Sequence, residues 1–377
     1  MKRMSSAILL TVLIASGASA QQQVSKVDDA GTLHLPDGEI IPYSGLASPE
    51  ARKNFIDSTR GYEAVMAPKP PNWKPKAGET AEDQERRWYD EVLYIPWLSK
   101  LRHRFVVEIE PKTIGGVQTD IIYPPGGVSD NNKERILINL HGGGMIVGAR
   151  YSGQLESIPM SSIGRIRVVT VDYRMLPHKY PAAEDNVIAV YRELLKTYRP
   201  ENIGMYGCSA GAFMTGSAVA RLIESGQPKP GAIGMFGGGP FGRRGNGDSD
   251  YIFSGGKPIL HADSYTAGVD MDSRASYPVE APEIQRQFPP TLLISGTRDV
   301  ELSRTVFSHS LLVDLGVDAE LHVWEGVQHC SFAQPFVDPD VPETQQAWKT
   351  IIKFFDTHLG RSWRKVDGWQ SATEKVT

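Results

Sequence analysis

The chain reads as an α/β protein, with a mostly parallel central sheet flanked by helices, and three observations predict this. Short, almost wholly apolar runs recur from residue 135 onward, as strands buried on both faces require, and helix-length segments separate them. One such run, Asn202-Ile-Gly-Met-Tyr-Gly207, passes into Gly207-Cys208-Ser209-Ala210-Gly211 and then into a helix, which is the strand, G-x-S-x-G, helix order of a nucleophile elbow. A third, Arg135-Ile-Leu-Ile-Asn-Leu140, ends in His141-Gly-Gly-Gly144, a turn whose backbone N–H groups no side chain obstructs.

Taken in order, residues 1–20 combine Lys2 and Arg3, an apolar run from Ala7 to Ile14, and Ala18-Ser19-Ala20. A secretory signal peptide cut after Ala20 is expected, which sends the mature chain to the periplasm or outside the cell. The run is too short for a membrane span of about 20 residues, and no later segment is long and apolar enough to span either. Residues 21–103 are rich in Pro, Lys and Glu and read as an N-terminal arm followed by a helix over 79–101, which Pro96 should kink or end. The helix aromatics Trp88, Tyr94 and Trp97 either pack on the main domain or roof a pocket.

Strands over 104–110 and 117–123 should form a hairpin around Gly115-Gly116. Buried strands follow at 135–140 and 167–171, then a helix over 181–198 with Pro in its first turn. After the elbow strand come a helix over 210–225 and a strand over 232–236. The alternation then breaks: residues 237–288 are punctuated by Gly, Pro and Tyr and read as an insertion over the carboxyl edge of the sheet. Strands at 291–295 and 319–324 and helices at 300–315 and 343–359 complete the domain, and 361–377 is a tail.

Chemistry at an elbow serine needs a base within hydrogen-bond reach and an acid that fixes the base's tautomer, and these follow in the order Ser, Asp, His. Asp299 stands just past one strand and His329 just past the last, so both open onto the edge that carries Ser209. Asp299 is also placed to cap the helix at 300–315, a role compatible with catalysis. Glu301 and Glu325 are the fallback acids, and a surface-loop role is the alternative for His329. The backbone N–H groups of Gly143, Gly144 and Ala210 suit an oxyanion, while His141 should hold its loop by hydrogen bonds. The glycine turn lacks the Lys-Ser/Thr ending of a phosphate loop. A second triple glycine, Gly237-Gly-Gly239, reads as a turn. The net charge of −4 gives no basic field for nucleic acid, which leaves a small-molecule substrate.

From about Arg104 to Gly360 the chain resembles the hormone-sensitive-lipase-like esterases of the α/β-hydrolase fold. The resemblance rests on His141-Gly-Gly-Gly144, on Val171-Asp-Tyr-Arg-Met-Leu-Pro-His178 with Tyr180-Pro-Ala-Ala-Glu184, on the elbow, and on the Asp299 and His329 segments. It implies a cap made by residues 21–103 and by the insertion after the sixth strand, about 237–288. It implies a cofactor-free carboxylesterase in which Ser209, Asp299 and His329 form the triad and an acyl-enzyme forms on Ser209. The elbow departs from the family pattern at Cys208, usually acidic, and at Ala212, usually glycine. With no long apolar helix in the cap region, small or aromatic acyl esters are the expected substrates. A lactonase or amidase would use the same residues, and a ligand-binding protein on an inactive scaffold is the non-catalytic rival.

Cys208 precedes Ser209 and Cys330 follows His329, and the chain has no other cysteine. This Cys-Ser, Asp, His-Cys pattern is similar to that of tannases and feruloyl esterases. That resemblance implies a Cys208–Cys330 disulfide joining the serine and histidine segments, and it points to phenolic esters. Two buried free thiols are the alternative.

Overall fold

The computed structural model describes residues 25–35, 38–240, 247–254, 264–270, 273–333 and 337–360. The expected signal peptide, the tail and parts of the insertion lie outside the described residues. Among these, eight strands form the central sheet: β1 (Glu108–Ile114), β2 (Val117–Tyr123), β3 (Ile136–Leu140), β4 (Arg167–Val171), β5 (Ile203–Cys208), β6 (Ala232–Phe236), β7 (Thr291–Arg298) and β8 (Ala319–Gln328). Their spatial order is β1-β2-β4-β3-β5-β6-β7-β8. β2 runs antiparallel to β1 and β4, and the other pairs are parallel.

Every residue of β3, β5 and β6 is buried, so the apolar runs read from the sequence are the sheet's middle. Alternation divides the core in two. Ile136, Ile138 and Leu140 face a cluster with the helices α5 (Ala182–Leu194), α6 (Ala210–Glu224) and Leu302–Asp314, whereas Leu137 and Tyr206 face one with α4 (Tyr151–Gly164) and Pro342–His358.

The N-terminal segment covers that second face. It begins with three two-residue strands between Lys26 and Ile41. Helix α1 (Pro49–Met66) follows, capped by Ser48. Helix α2 (Ala81–Tyr89) starts in a capping box of Thr80 and Asp83. It continues through a π-helical turn, Asp90–Tyr94, into α3 (Ile95–Arg104). Pro96 therefore does not end the helix, one of the two outcomes expected of it. The Ile95 N–H reaches back five residues to Asp90, and this wider turn takes up the register change just before the proline. Because α3 runs on to Arg104, the first strand begins at Glu108 rather than at Arg104.

Trp88 and Tyr94 are buried within this packing, with the Trp88 ring N–H donating to the Val65 carbonyl (2.8 Å), so both pack inward as core. Trp97 is only partly buried and carries Lys100 over its ring. Among the described residues no helix is long and apolar enough to cross a membrane.

Candidate active site

The elbow is built by close approach. Ser209 sits between β5 and α6 at φ 58°, ψ −122°, a left-handed backbone that few non-glycine residues adopt. A Cβ on Gly211 would stand 1.8 Å from the Leu140 carbonyl oxygen, and one on Gly207 would stand 2.2 Å from it. Only glycine lets the strand, the helix and the end of β3 meet there. The Ser209 N–H is held by the Phe236 carbonyl at the end of β6 (2.8 Å).

Asp299 follows the last residue of β7 and His329 the last residue of β8. The His329 Nδ1 lies 2.7 Å from the Asp299 Oδ1. Asp299 also accepts from the Ser295 hydroxyl (2.9 Å) and the Glu301 N–H (2.8 Å), so all three contacts use it as an acceptor and Nδ1 carries the imidazole proton. The Glu301 contact caps the following helix, and capping and imidazole orientation coexist in one carboxylate. Burial works to lower the His329 pKa, but the charge of Asp299 and its hydrogen bond overcome this and hold it above the usual value. Of the fallback acids, Glu301 pairs with Arg304 (3.0 Å) and, buried, is pushed up to about 7. Nδ1 is therefore held by Asp299, with Glu301 beside it.

A disulfide joins Cys208 to Cys330 with their Cα atoms 6.1 Å apart, and no described cysteine is free. The residue after one half-cystine is Ser209 and the residue before the other is His329, so the bond draws the serine and imidazole segments together. Gly237, read from sequence only as part of a turn, makes room for this junction. A Cβ there would lie 3.0 Å from both the Cys330 sulfur and the His329 ring, and its φ of 53° also favours glycine.

The glycine turn after β3 starts where the Leu140 and His141 carbonyls crowd the elbow residue Gly211. Gly143 and Gly144 have φ of 110° and 62°. Ala210 begins α6, where a helix leaves its first N–H groups without intrahelical acceptors. His141 is fully buried, its Nδ1 bonded to the Gly142 carbonyl (2.6 Å) and its ring stacked on Tyr173 at 4.3 Å, and burial pushes its pKa down to about 4. It holds the loop, as read from the sequence. Two further holds were not foreseen. The buried Glu156 of α4 accepts from the Gly142 N–H (2.9 Å) and from the Asn139 amide (2.8 Å). Arg86 of α2 donates to the carbonyls of Ile146 (2.9 Å) and Leu176, tying the N-terminal segment to the loop's far end. Arg86 lies 60 residues before Ile146 and Glu156 lies 14 residues past Gly142 on a separate element, so no local pattern marks them. Among the described residues no three His, Cys, Asp or Glu side chains are grouped to hold a metal ion.

A family model for the alpha/beta hydrolase fold matches residues 137–333, from within β3 to beyond His329. Among curated proteins the chain is similar to carboxylesterase/phospholipase LipF of Mycobacterium tuberculosis, 27% identical over 250 residues, which is 62% of this chain and 65% of that protein. It also resembles versiconal hemiacetal acetate esterase of Emericella nidulans, 31% identical over 32% of this chain and 41% of that one. Among solved structures it is similar to esterase E25, at 30% identity and TM-score 0.69, covering 85% of this chain and 97% of that one. An esterase of the bacterial hormone-sensitive lipase family gives 25% identity and TM-score 0.68, over 83% of this chain and 99% of that one. With the strand order, the elbow and the Asp299–His329 pair, these findings make the chain a member of the α/β-hydrolase-fold family, on its hormone-sensitive-lipase-like esterase branch.

Proposed function

We propose that the chain is a serine carboxylesterase acting through an acyl-enzyme, with Ser209 as nucleophile, His329 as base and Asp299 as its orienting acid. The observation that carries this is the Asp299–His329 contact of 2.7 Å, formed next to a disulfide that ties the imidazole segment to the elbow. His329 Nε2 takes the Ser209 proton as Oγ attacks the ester carbonyl. The N–H groups of Gly143, Gly144 and Ala210 receive the oxyanion, and the imidazolium then gives its proton to the departing alcohol. Water, deprotonated by the same imidazole, repeats the attack and frees the acid. The names of the relatives, carboxylesterase and esterase, support ester hydrolysis.

The proposed substrates are esters of small or aromatic acids, phenolic ones included. The Cys-Ser and His-Cys adjacency supports the aromatic part of this reading, and the N-terminal signal supports action in the periplasm or outside the cell. A fluorophosphonate probe should label Ser209, and Ser209→Ala should lose both labelling and hydrolysis of p-nitrophenyl acetate, butyrate and aromatic-acid esters while keeping its fold. Turnover retained by Ser209→Ala in a preparation free of host esterases would remove the assignment. Activity rising with chain length beyond about ten carbons would remove the acyl preference.

A further inference from the structure

Arg298 and Gln328 are register partners on the parallel strands β7 and β8, and the residues after them are Asp299 and His329. Both side chains are held by the N-terminal segment. Arg298 is 5% exposed, and its guanidinium donates to the carbonyls of Gly31 (2.9 Å) and Pro42 (2.7 Å) and lies over the rings of Tyr43 (4.7 Å) and Phe55 (4.8 Å). The Gln328 amide donates to the Asn54 side chain and the Ser58 hydroxyl of α1, each at 3.0 Å. Tyr43 adds a hydrogen bond to the Gly326 carbonyl (2.9 Å), two residues before Gln328. The segment thus grips one strand end beside the acid and the other beside the base.

We propose that residues 25–66 position the acid–base pair, acting through Arg298 and Gln328 to set the separation of Asp299 and His329. The proposal rests on the triad assigned above. Neither residue touches the reacting atoms, so both are positioning residues. The physical ground is that the β7–β8 pairing shifts register just before this pair, β8 advancing from Trp324 to Gln328 while β7 advances only from Gly296 to Arg298, so the regular ladder alone does not fix the relation of the last paired residues. A guanidinium held between two aromatic rings and main-chain carbonyls of another segment supplies that constraint, and its planar fork is not reproduced by lysine. A displacement on the order of 1 Å at such a pair is enough to reduce turnover by about a hundredfold.

The test compares Gln328→Ala, Arg298→Lys and the double variant Asn54→Ala/Ser58→Ala, which removes the Gln328 contacts from the N-terminal side without altering β8. Each is assayed on p-nitrophenyl butyrate for kcat, KM and the pH dependence of kcat/KM, with circular dichroism to verify folding. The expected result is kcat lower by about tenfold or more, KM within about twofold, and an acidic limb moved to lower pH, because a looser Asp299 contact raises the imidazole pKa less. Gln328→Ala placed on the Asn54→Ala/Ser58→Ala background should add little further loss. Unchanged kcat and acidic limb in folded variants, with only a lower melting temperature, would overturn the proposal and leave the segment a packing element. Full losses on the combined background, simply multiplied, would overturn it as well. If Ser209→Ala instead keeps its turnover and escapes the fluorophosphonate, the triad itself is wrong, and that outcome is separate from the behaviour of these variants.

Discussion

As the proposed base, His329 must shed its proton before it can take one, and the Asp299 charge makes it do so at a higher pH than a free imidazole would. The folded pKa is raised, so the neutral, competent form grows in as pH rises through a midpoint above 6.5. The acidic limb of kcat/KM should lie there, measured across pH 5 to 9 on an ester whose own hydrolysis is slow. Asp299→Asn should move the limb down and lower kcat on the order of 10⁴-fold, since an amide at that position no longer fixes the Nδ1–H tautomer. His141, pushed down to about 4 by burial, is neutral throughout that range and should contribute no limb. At this scale the pairing of Asp299 with His329 was legible because chain order and strand ends mark them. Gly237 was not, because its requirement comes from the Cys330 sulfur and the His329 ring, 92 or more positions away in sequence.

One side chain of helix α4 holds the glycine loop after β3. Glu156 of α4 receives the Gly142 N–H on one carboxylate oxygen and the Asn139 amide on the other. Glu156→Gln places an amide where both neighbours donate, so one hydrogen bond becomes a donor facing a donor. The expected outcome is a fall in kcat of about tenfold with KM little changed, as when one oxyanion donor is weakened, read from steady-state kinetics on a short-chain ester. Gly211→Ala should be more severe, because its Cβ would stand 1.8 Å from the Leu140 oxygen and the elbow would have to open. Insoluble or inactive protein is the expected result on expression. The central strands were legible as apolar runs because they are buried on both sides. The edge strand β1 was placed too early because its sequence, Glu-Ile-Glu-Pro-Lys-Thr-Ile, is mostly exposed and carries no apolar signal. The helix over 79–101 was legible, but the π turn before Pro96 was not, because it depends on how the N-terminal segment packs and leaves no mark in residue spacing.

For the molecule as a whole, the disulfide is the longest-range covalent constraint, joining positions 122 residues apart. Closing so long a loop restricts the unfolded chain, and its loss in Cys208→Ala/Cys330→Ala should lower stability by about 2–5 kcal/mol in chemical denaturation. Both half-cystines are buried, so reductant should act slowly on the native protein, and denatured unreduced protein should titrate with no free thiol. The cysteine pairing was legible from the place of each cysteine beside Ser209 or His329 and from the resemblance to another esterase group; the N-terminal hold on Arg298 and Gln328 was not legible at all, since nothing in residues 25–66 announces which strand ends they will meet. The bond also has a topological consequence. The circle it closes runs from Cys208 through α6, β6, the insertion, β7 with Asp299, and β8 to Cys330. A protease that cuts one peptide bond anywhere on that circle leaves the two products linked. Such a clipped chain would migrate as one species without reductant and as two with it, and the histidine-bearing fragment would stay tethered beside its serine.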